Sequence, residues 1–442
     1  MFELQTYALL MLAAFFVLLM IGIPVATTLA VVGFVFGWLG FGDTLFNLLG
    51  ARFFGIVAGY QWMAIPLFVF MGVMLEKSRL ADDLLDVMGL LAGGLNGGMG
   101  VGIILFGVLM GATTGIVGAT VITLGLLTLP TLIRRGYDKG LACGAICASG
   151  TLGQIIPPSL ILILLSDIMQ LSVGTLFAAA VMPGLMLAGL YIVYLLVRGW
   201  MNPSLMPPIP LEERAKVSRS DLLKRVWKVV VPPILLVVSV LGAIVGGVAA
   251  PTEAASMGAV GAVLITLLAG RLSLKTLKDV ALETSKITAI MMFILMAAQV
   301  FALAFRGLQG EELITKMFDW LPGGVNSDIW FMMLLIFVLG FFIEWIEISY
   351  IAVPLFMPVL ISQGVDPVWL AMLITVNLQS SFLTPPFGWA LFYLKGVAPP
   401  EVTIRDIYRG VVPFIFLQGI ALALVFFYPQ IALWLPKVIG WD

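Results

Sequence analysis

Ser149-Gly150-Thr151-Leu152-Gly153-Gln154-Ile155-Ile156-Pro157-Pro158-Ser159 is a polar, glycine- and proline-broken stretch inside an apolar segment long enough to cross a bilayer. Two adjacent prolines remove two amide donors and disfavour helical geometry just before them, so carbonyls near Gly150 to Gln154 are expected to lose their intrahelical partners. At membrane depth such carbonyls need protein, water or an ion. A second break of the same kind lies at Asn377-Leu378-Gln379-Ser380-Ser381-Phe382-Leu383-Thr384-Pro385-Pro386. Pro157 and Pro158 map onto Pro385 and Pro386 at an offset of 228 positions.

That offset holds without a gap from Pro130 to Pro158. It pairs Pro130 with Pro358, Leu132 with Leu360, Ile133 with Ile361, Gly136 with Gly364, Asp138 with Asp366 and Ile146 with Ile374, besides the two proline pairs. Eight identities in 29 positions, against about two expected from so biased a composition, read as an internal repeat. Upstream, Gly33 meets Gly261 at the same offset. The chain reads as two related halves, 1–198 and 229–442, each with one broken helix, joined by a linker over 199–228.

With 442 residues, 61% hydrophobic, 11% charged and a mean hydropathy of +1.13, the composition is that of an all-α polytopic membrane protein. A net charge of -1 offers no nucleic-acid footprint. The absence of histidine excludes histidine metal sites, histidine proton relays and a Ser-His triad. Neither an HExxH motif nor a P-loop is present, so a membrane enzyme would need a reaction built on isolated acids. Cys143 and Cys147 lie one turn apart on a helix and read as small packing residues.

The first apolar run, about Leu4 to Gly22, follows only Glu3, whereas a secretory signal starts with basic residues; it reads as a retained span. Further spans are expected at about Ile23 to Gly40 and Ala58 to Leu75, then an interfacial arm over Glu76 to Asp86. Leu90 to Pro130 is too long for one span and is interrupted at Gly111-Ala112-Thr113-Thr114-Gly115; two full helices and one re-entrant hairpin both fit. The broken helix, about Gly140 to Ser166, and a span at about Val173 to Val197 close the first half. The second half repeats this order, with its long run interrupted at Glu344-Trp345-Ile346-Glu347. If both long runs are hairpins, each half has five spans, and the odd number turns the second half upside down. Of the 23 basic residues, all but Arg52, Arg306, Lys316 and Lys437 then fall on the side of the central linker, as a cytoplasmic face requires. Two inverted-topology repeats, about ten spans plus two re-entrant hairpins, are the architecture expected.

Inverted repeats with broken helices place half-helix ends, carbonyls and hydroxyls near the bilayer midplane, where cations and anionic substrates are coordinated. Hard cations such as sodium take oxygen ligands. Thr113, Thr114, Thr120, Ser149 and Thr151 are candidates in the first half, and Ser349, Ser380, Ser381 and Thr384 in the second. Glu253 follows Pro251-Thr252 at a helix start and reads as a cap. Glu344 and Glu347 are different, because acids at a hairpin tip within the membrane are rare and usually functional.

At these residues the sequence resembles the large membrane subunit of the tripartite ATP-independent periplasmic (TRAP) transporters. The specific pieces are Pro251-Thr252-Glu253-Ala254-Ala255, Arg135-Gly136-Tyr137-Asp138, Ala148 to Gly153 through Ile156-Pro157-Pro158-Ser159, and Asn377-Leu378 through Leu383-Thr384-Pro385-Pro386-Phe387-Gly388. The resemblance implies an elevator-type secondary transporter of the bacterial inner membrane, driven by sodium ions. It also implies a small four-helix membrane subunit and a periplasmic binding protein that delivers organic acids. One sodium site would lie between the tip Gly111 to Gly115 and the break Ser149 to Gly153, including Thr113 and Gly150. The other would lie between Gly340 to Glu347 and Gln379 to Thr384, including Glu344, Ser380 and Glu347. Substrate would meet Thr113, Thr114, Gly115, Thr151, Ser381 and Thr384. The chain departs from many members at both tips, with Gly111-Ala112-Thr113-Thr114 in place of a serine-glycine-serine run, Glu344 in place of an aspartate, and Glu347 as an additional acid. A self-sufficient sodium- or proton-coupled organic-anion carrier is the alternative, with Glu344 or Glu347 titrating if protons replace sodium.

Overall fold

The computed structural model describes residues 4–441 apart from 79, 115–116, 211, 213, 215–216 and 386–387, and leaves the side chains of 61, 81–82 and 112–114 undescribed. Among the described residues the regular structure is helical. The first half comprises α1 (Leu4–Met20), α2 (Val25–Phe41), α3 (Thr44–Ala58), α4 (Ala64–Lys77), α5 (Leu80–Ala92), α6 (Gly98–Thr114), α7 (Val117–Arg134), α8 (Lys139–Leu152), α9 (Leu160–Ile168) and α10 (Val173–Met201). After the linker come α11 (Arg219–Val245), α12 (Pro251–Leu268), α13 (Leu274–Gly307), α14 (Gly310–Asp319) and α15 (Val325–Leu339). The chain ends with α16 (Trp345–Ser362), α17 (Pro367–Leu383), α18 (Trp389–Val397), α19 (Ile404–Phe427) and α20 (Gln430–Val438). Seven of the described helices are long and apolar enough to cross a membrane.

The sequence repeat is also a repeat of local structure. Gly136 and Gly364 both take positive φ, +81° and +91°, a conformation in which glycine meets no Cβ penalty. Gly136 N donates to Ile133 O and Tyr137 N to Leu132 O; Gly364 N donates to Ile361 O and Val365 N to Leu360 O. Asp138 then caps α8 by accepting from Leu141 N at 2.9 Å, and Asp366 caps α17 by accepting from Trp369 N at 2.8 Å. Each of these partners is related to its counterpart by the 228-residue offset.

Two packed groups of helices follow. In one, α2 lies along α13, with Gly33 against the backbone of Val300 and Phe301 so closely that a Cβ would sit 2.7 Å from Phe301 N. There α12 packs on α4, with Gly258 facing the Met71 sulfur. In the other, α6 and α7 clasp α8, which lies on α19 through Gly140, Gly144 and Gly410. Small residues are what allow such close backbone approach between apolar helices. Glu253 caps α12, its Oε2 accepting from Ala250 N at 2.9 Å, as its place after proline suggests. Cys143 and Cys147 are buried free thiols.

Two helices exceed the sequence expectation. α3 fills a segment with no expected span, because its apolar residues are split between a buried face, Leu45, Leu49 and Ile56, and an exposed one, Phe46, Phe54 and Val57. α13 begins at Leu274 rather than near Ile287, its charged first turns capped by Ser273, whose Oγ accepts from Thr276 N at 3.0 Å. At that end Lys77 pairs with Glu283 at 2.8 Å and Arg271 with Asp83 at 2.7 Å, tying α4 and α5 to the start of α13.

Candidate functional site

α8 is buried from Gly140 to Leu152 and stops at the first break. Its last turn is closed within the protein: Thr151 O accepts from Gln154 N at 3.1 Å, and Leu152 O from Ile155 N at 3.1 Å and Ile156 N at 3.3 Å. Ser159 Oγ donates to Gln154 O. This corrects the expectation of stranded carbonyls at Thr151, Leu152 and Gln154, since tight turns and a hydroxyl recapture them. Gln154 itself is the exception: 1% exposed, its side-chain amide has no hydrogen-bond partner.

α6 and α7 hold this break by close contact. Ser149 Oγ donates to Ile103 O on α6 at 2.7 Å. Gly111 and Gly153 touch, so that a Cβ on either would land on the Cα of the other, and Gly150 faces Val121 of α7. The second break is held alike. Asn377, the counterpart of Ser149, donates from Nδ2 to Met333 O on α15 at 2.6 Å. Ser381, the counterpart of Gly153, packs its Oγ where a Cβ on Gly340 would stand. Gln379, fully buried, leaves both side-chain atoms unpartnered.

The expected site residues fall into three sets. Gly115 and Pro386 lie outside the described residues, as do the side chains of Thr113 and Thr114. Thr151, Ser380, Ser381 and Thr384 spend their hydroxyl protons on their own helices, donating to Ala148 O, Asn377 O, Leu378 O and Ser380 O at 2.6–3.0 Å. Glu344 lies on the wall of a cavity of about 500 Å³. Its Oε1 accepts from the Tyr393 hydroxyl at 3.2 Å. One turn on, Glu347 is 9% exposed and its Oε2 has no partner.

This inner cavity is walled by Val117 to Thr123 on α7, Leu160 of α9, Phe382 of α17 and Tyr393 of α18, and closed by Glu76 and α13 residues Glu283 to Met291. Three carboxylates, Glu76, Glu283 and Glu344, line it, and among its described lining residues there is no lysine or arginine. Glu76, Glu283 and Tyr393 carry no signal in the sequence, because each is an ordinary residue of its own segment and reaches the cavity only through packing. A second cavity, of about 280 Å³, lies further along the same elements: past Leu160 at Asp167, past Met291 at Ala298, and past Ile346 at Tyr350. Spacings of four to seven helical residues put only about 6–10 Å of packed protein between the two.

Broken helices around a cavity, with a second cavity further along the same elements, are the anatomy of a secondary membrane transporter. The profile of the tripartite ATP-independent periplasmic transporter, DctM component, matches residues 12–431, and the chain belongs to that family. It is 31% identical over 400 residues to the C4-dicarboxylate TRAP transporter large permease protein DctM of Pseudomonas aeruginosa, covering 89% of this chain and 90% of that one. It is 29% identical to the ectoine large permease TeaC of Halomonas elongata, covering 96% and 98%, and 28% identical to the sialic acid large permease SiaM of Vibrio cholerae, covering 95% and 96%. The Alcanivorax borkumensis YdaH transporter shares the fold, with a TM-score of 0.62 at 15% identity over 98% of this chain and 99% of that one. The chain is thus a multi-pass transporter subunit of the inner membrane, not an enzyme.

Proposed function

We propose that the chain is the translocation subunit of a sodium-coupled importer of organic acids, working with a small four-helix membrane subunit and a periplasmic binding protein that delivers the acid. The observation that carries this reading is the duplicated construction of the two breaks beside one cavity: Ser149 on Ile103 and Asn377 on Met333, Gly153 on Gly111 and Ser381 on Gly340. Two inverted repeats, about ten spans and two re-entrant hairpins account for it. The hairpins α6/α7 and α15/α16, with the broken helices α8/α9 and α17/α18, form the moving unit of an elevator; α2, α4, α12 and α13 belong to its scaffold.

Sodium fits the charge of the site. An acid entering a cavity walled by Glu76 and Glu344, beside a Glu283 already paired with Lys77, needs accompanying positive charge. Ions near Gly111, Thr113, Ser149, Gly150 and Gly153, and near Glu344, Glu347, Gln379, Ser380 and Thr384, supply it. The unspent side-chain oxygens of Gln154 and Gln379 add ligands suited to a hard cation. Substrate then contacts Thr113, Thr114, Gly115, Thr151, Ser381 and Thr384. The dicarboxylate and sialic acid permeases among the relatives point to an acid as cargo. The buried Glu347, whose Oε2 lacks a partner, favours a second reading, in which a proton replaces sodium and the chain works as a self-sufficient carrier.

Uptake of labelled succinate, sialic acid and ectoine into proteoliposomes holding the chain and its small subunit separates these readings. Acid uptake that requires both a sodium gradient and the binding protein is expected. Uptake without the binding protein, or driven by a proton gradient alone, would replace the tripartite sodium reading with the carrier, and ectoine uptake alone would remove the acid.

A further inference from the structure

The outer cavity differs in charge from the inner one. Its wall gathers Arg52 of α3, Arg306 at the end of α13, Gln299 of the same helix, Asp167 and Gln170 at the end of α9, and Tyr350 of α16. Arg52 and Arg306 are two of the four basic residues that fall on the non-cytoplasmic side of the sequence's charge pattern. Arg306 directs Nε to Glu311 Oε1 at 3.3 Å, which leaves its four terminal N–H groups for other partners. Arg52 has no ion pair among the described residues. Among the residues that line this wall, two guanidinium groups stand with the single carboxylate of Asp167, while Glu311 pairs with Arg306 from outside the lining.

Tyr350 supplies an independent sign of a ligand. Its side chain is 2% exposed, it lines the cavity, and its hydroxyl has no hydrogen-bond partner. Buried hydroxyls are ordinarily paired, so this one lacks an acceptor that the chain does not provide. A carboxylate fits: its two oxygens match the planar fork of an arginine and accept from a phenol. The partition toward the inner cavity begins at Tyr350 itself, one turn beyond Ile346.

We infer that the outer cavity is a binding site for the carboxylate of the arriving organic acid, occupied before the acid reaches the inner cavity; this rests on the acid-import reading. Arg52 and Arg306 hold the carboxylate from the scaffold side, and Tyr350 donates to it from the moving side. When the moving unit shifts, the tyrosine leaves the arginines, and the acid is handed from a positive wall to the sodium-loaded breaks.

The test uses a cysteine at Gln299, since the native thiols Cys143 and Cys147 are buried. Gln299→Cys in the reconstituted complex is expected to react faster with the anionic sulfonatoethyl methanethiosulfonate than with its trimethylammonium counterpart. The ratio falls about tenfold when Arg52→Gln and Arg306→Gln are added, as loss of a focusing field requires. Arg306→Lys keeps the ratio, and succinate slows the labelling. In uptake assays Arg52→Gln and Tyr350→Phe raise the KM for the transported acid about tenfold while the maximal rate stays within about twofold. A reagent ratio insensitive to both arginine changes, or an unchanged KM, overturns the site. If no acid is carried but the ratio responds as described, the acid-import reading falls and the positive cavity stands.

Discussion

Gly111 and Gly153 meet with no side chain between them, so the first hairpin can rest on the first break only while both stay glycine. Gly153→Ala is expected to lower stability by about 1–3 kcal/mol through overpacking, read as a drop in the midpoint of thermal unfolding in detergent. Gly189→Ala, with open space at its Cβ, is the control and should leave the midpoint unchanged. Glu347 is the residue that divides the two coupling ions. With sodium as the driver, Glu347→Gln retains sodium-driven uptake within about threefold of wild type, because an amide still offers an oxygen ligand. Abolished uptake in that variant, with proton-driven uptake in the wild type, would assign the coupling to this carboxylate. At this scale Glu344 and Glu347 were legible as odd residues, since an acid in an apolar run stands out without any knowledge of its neighbours. The sequence was silent on Glu76, Glu283 and Tyr393, which reach the cavity only because several helices converge on it.

The repeated loop and cap make the elements comparable. Asp138 and Asp366 do the same work at the starts of α8 and α17, so Asp138→Ala and Asp366→Ala should each cost about 1 kcal/mol in unfolding, and by similar amounts. A large effect at one and none at the other would break the equivalence of the halves. The breaks themselves are written in the sequence as Pro157-Pro158 and Pro385-Pro386. Replacing Pro157 and Pro158 together by alanine restores two amide donors and is expected to reduce uptake about tenfold or more while the protein still assembles, as size-exclusion profiles would show. Here the proline pairs and the 228-residue offset were legible because covalent chemistry fixes them. The carbonyl partners were not, because the turn that closes at Gln154 to Ile156 depends on three-dimensional geometry beyond the proline rule. α3 was missed for a related reason: apolar residues shared between a packed face and an outward face give no uninterrupted apolar run.

At the scale of the molecule, the charge pattern predicts the central linker in the cytoplasm and Asn326, in the first turn of α15, on the other side. Ser220→Cys should therefore resist an impermeant maleimide added to intact cells, and Asn326→Cys should react; both positions are exposed and the native cysteines are buried. The reverse result would turn the protein over and exchange the inner and outer cavities. Among the described helices that can cross between these faces, α13 is the longest. α13 has 34 residues, about 51 Å of helix, against a hydrocarbon layer of about 30 Å. The excess lies at its beginning, where Lys275, Lys278 and Lys286 are exposed beside the Lys77 and Arg271 ion pairs. With α13 crossing the bilayer, those ammonium groups would stand at the level of the phospholipid headgroups, where anionic lipid attracts each by about 1 kcal/mol. On the elevator reading the bilayer would then be a mechanical part of the machine: phosphatidylglycerol would anchor the stationary wall beside both cavities, and a membrane of neutral lipid would leave that wall less firmly moored.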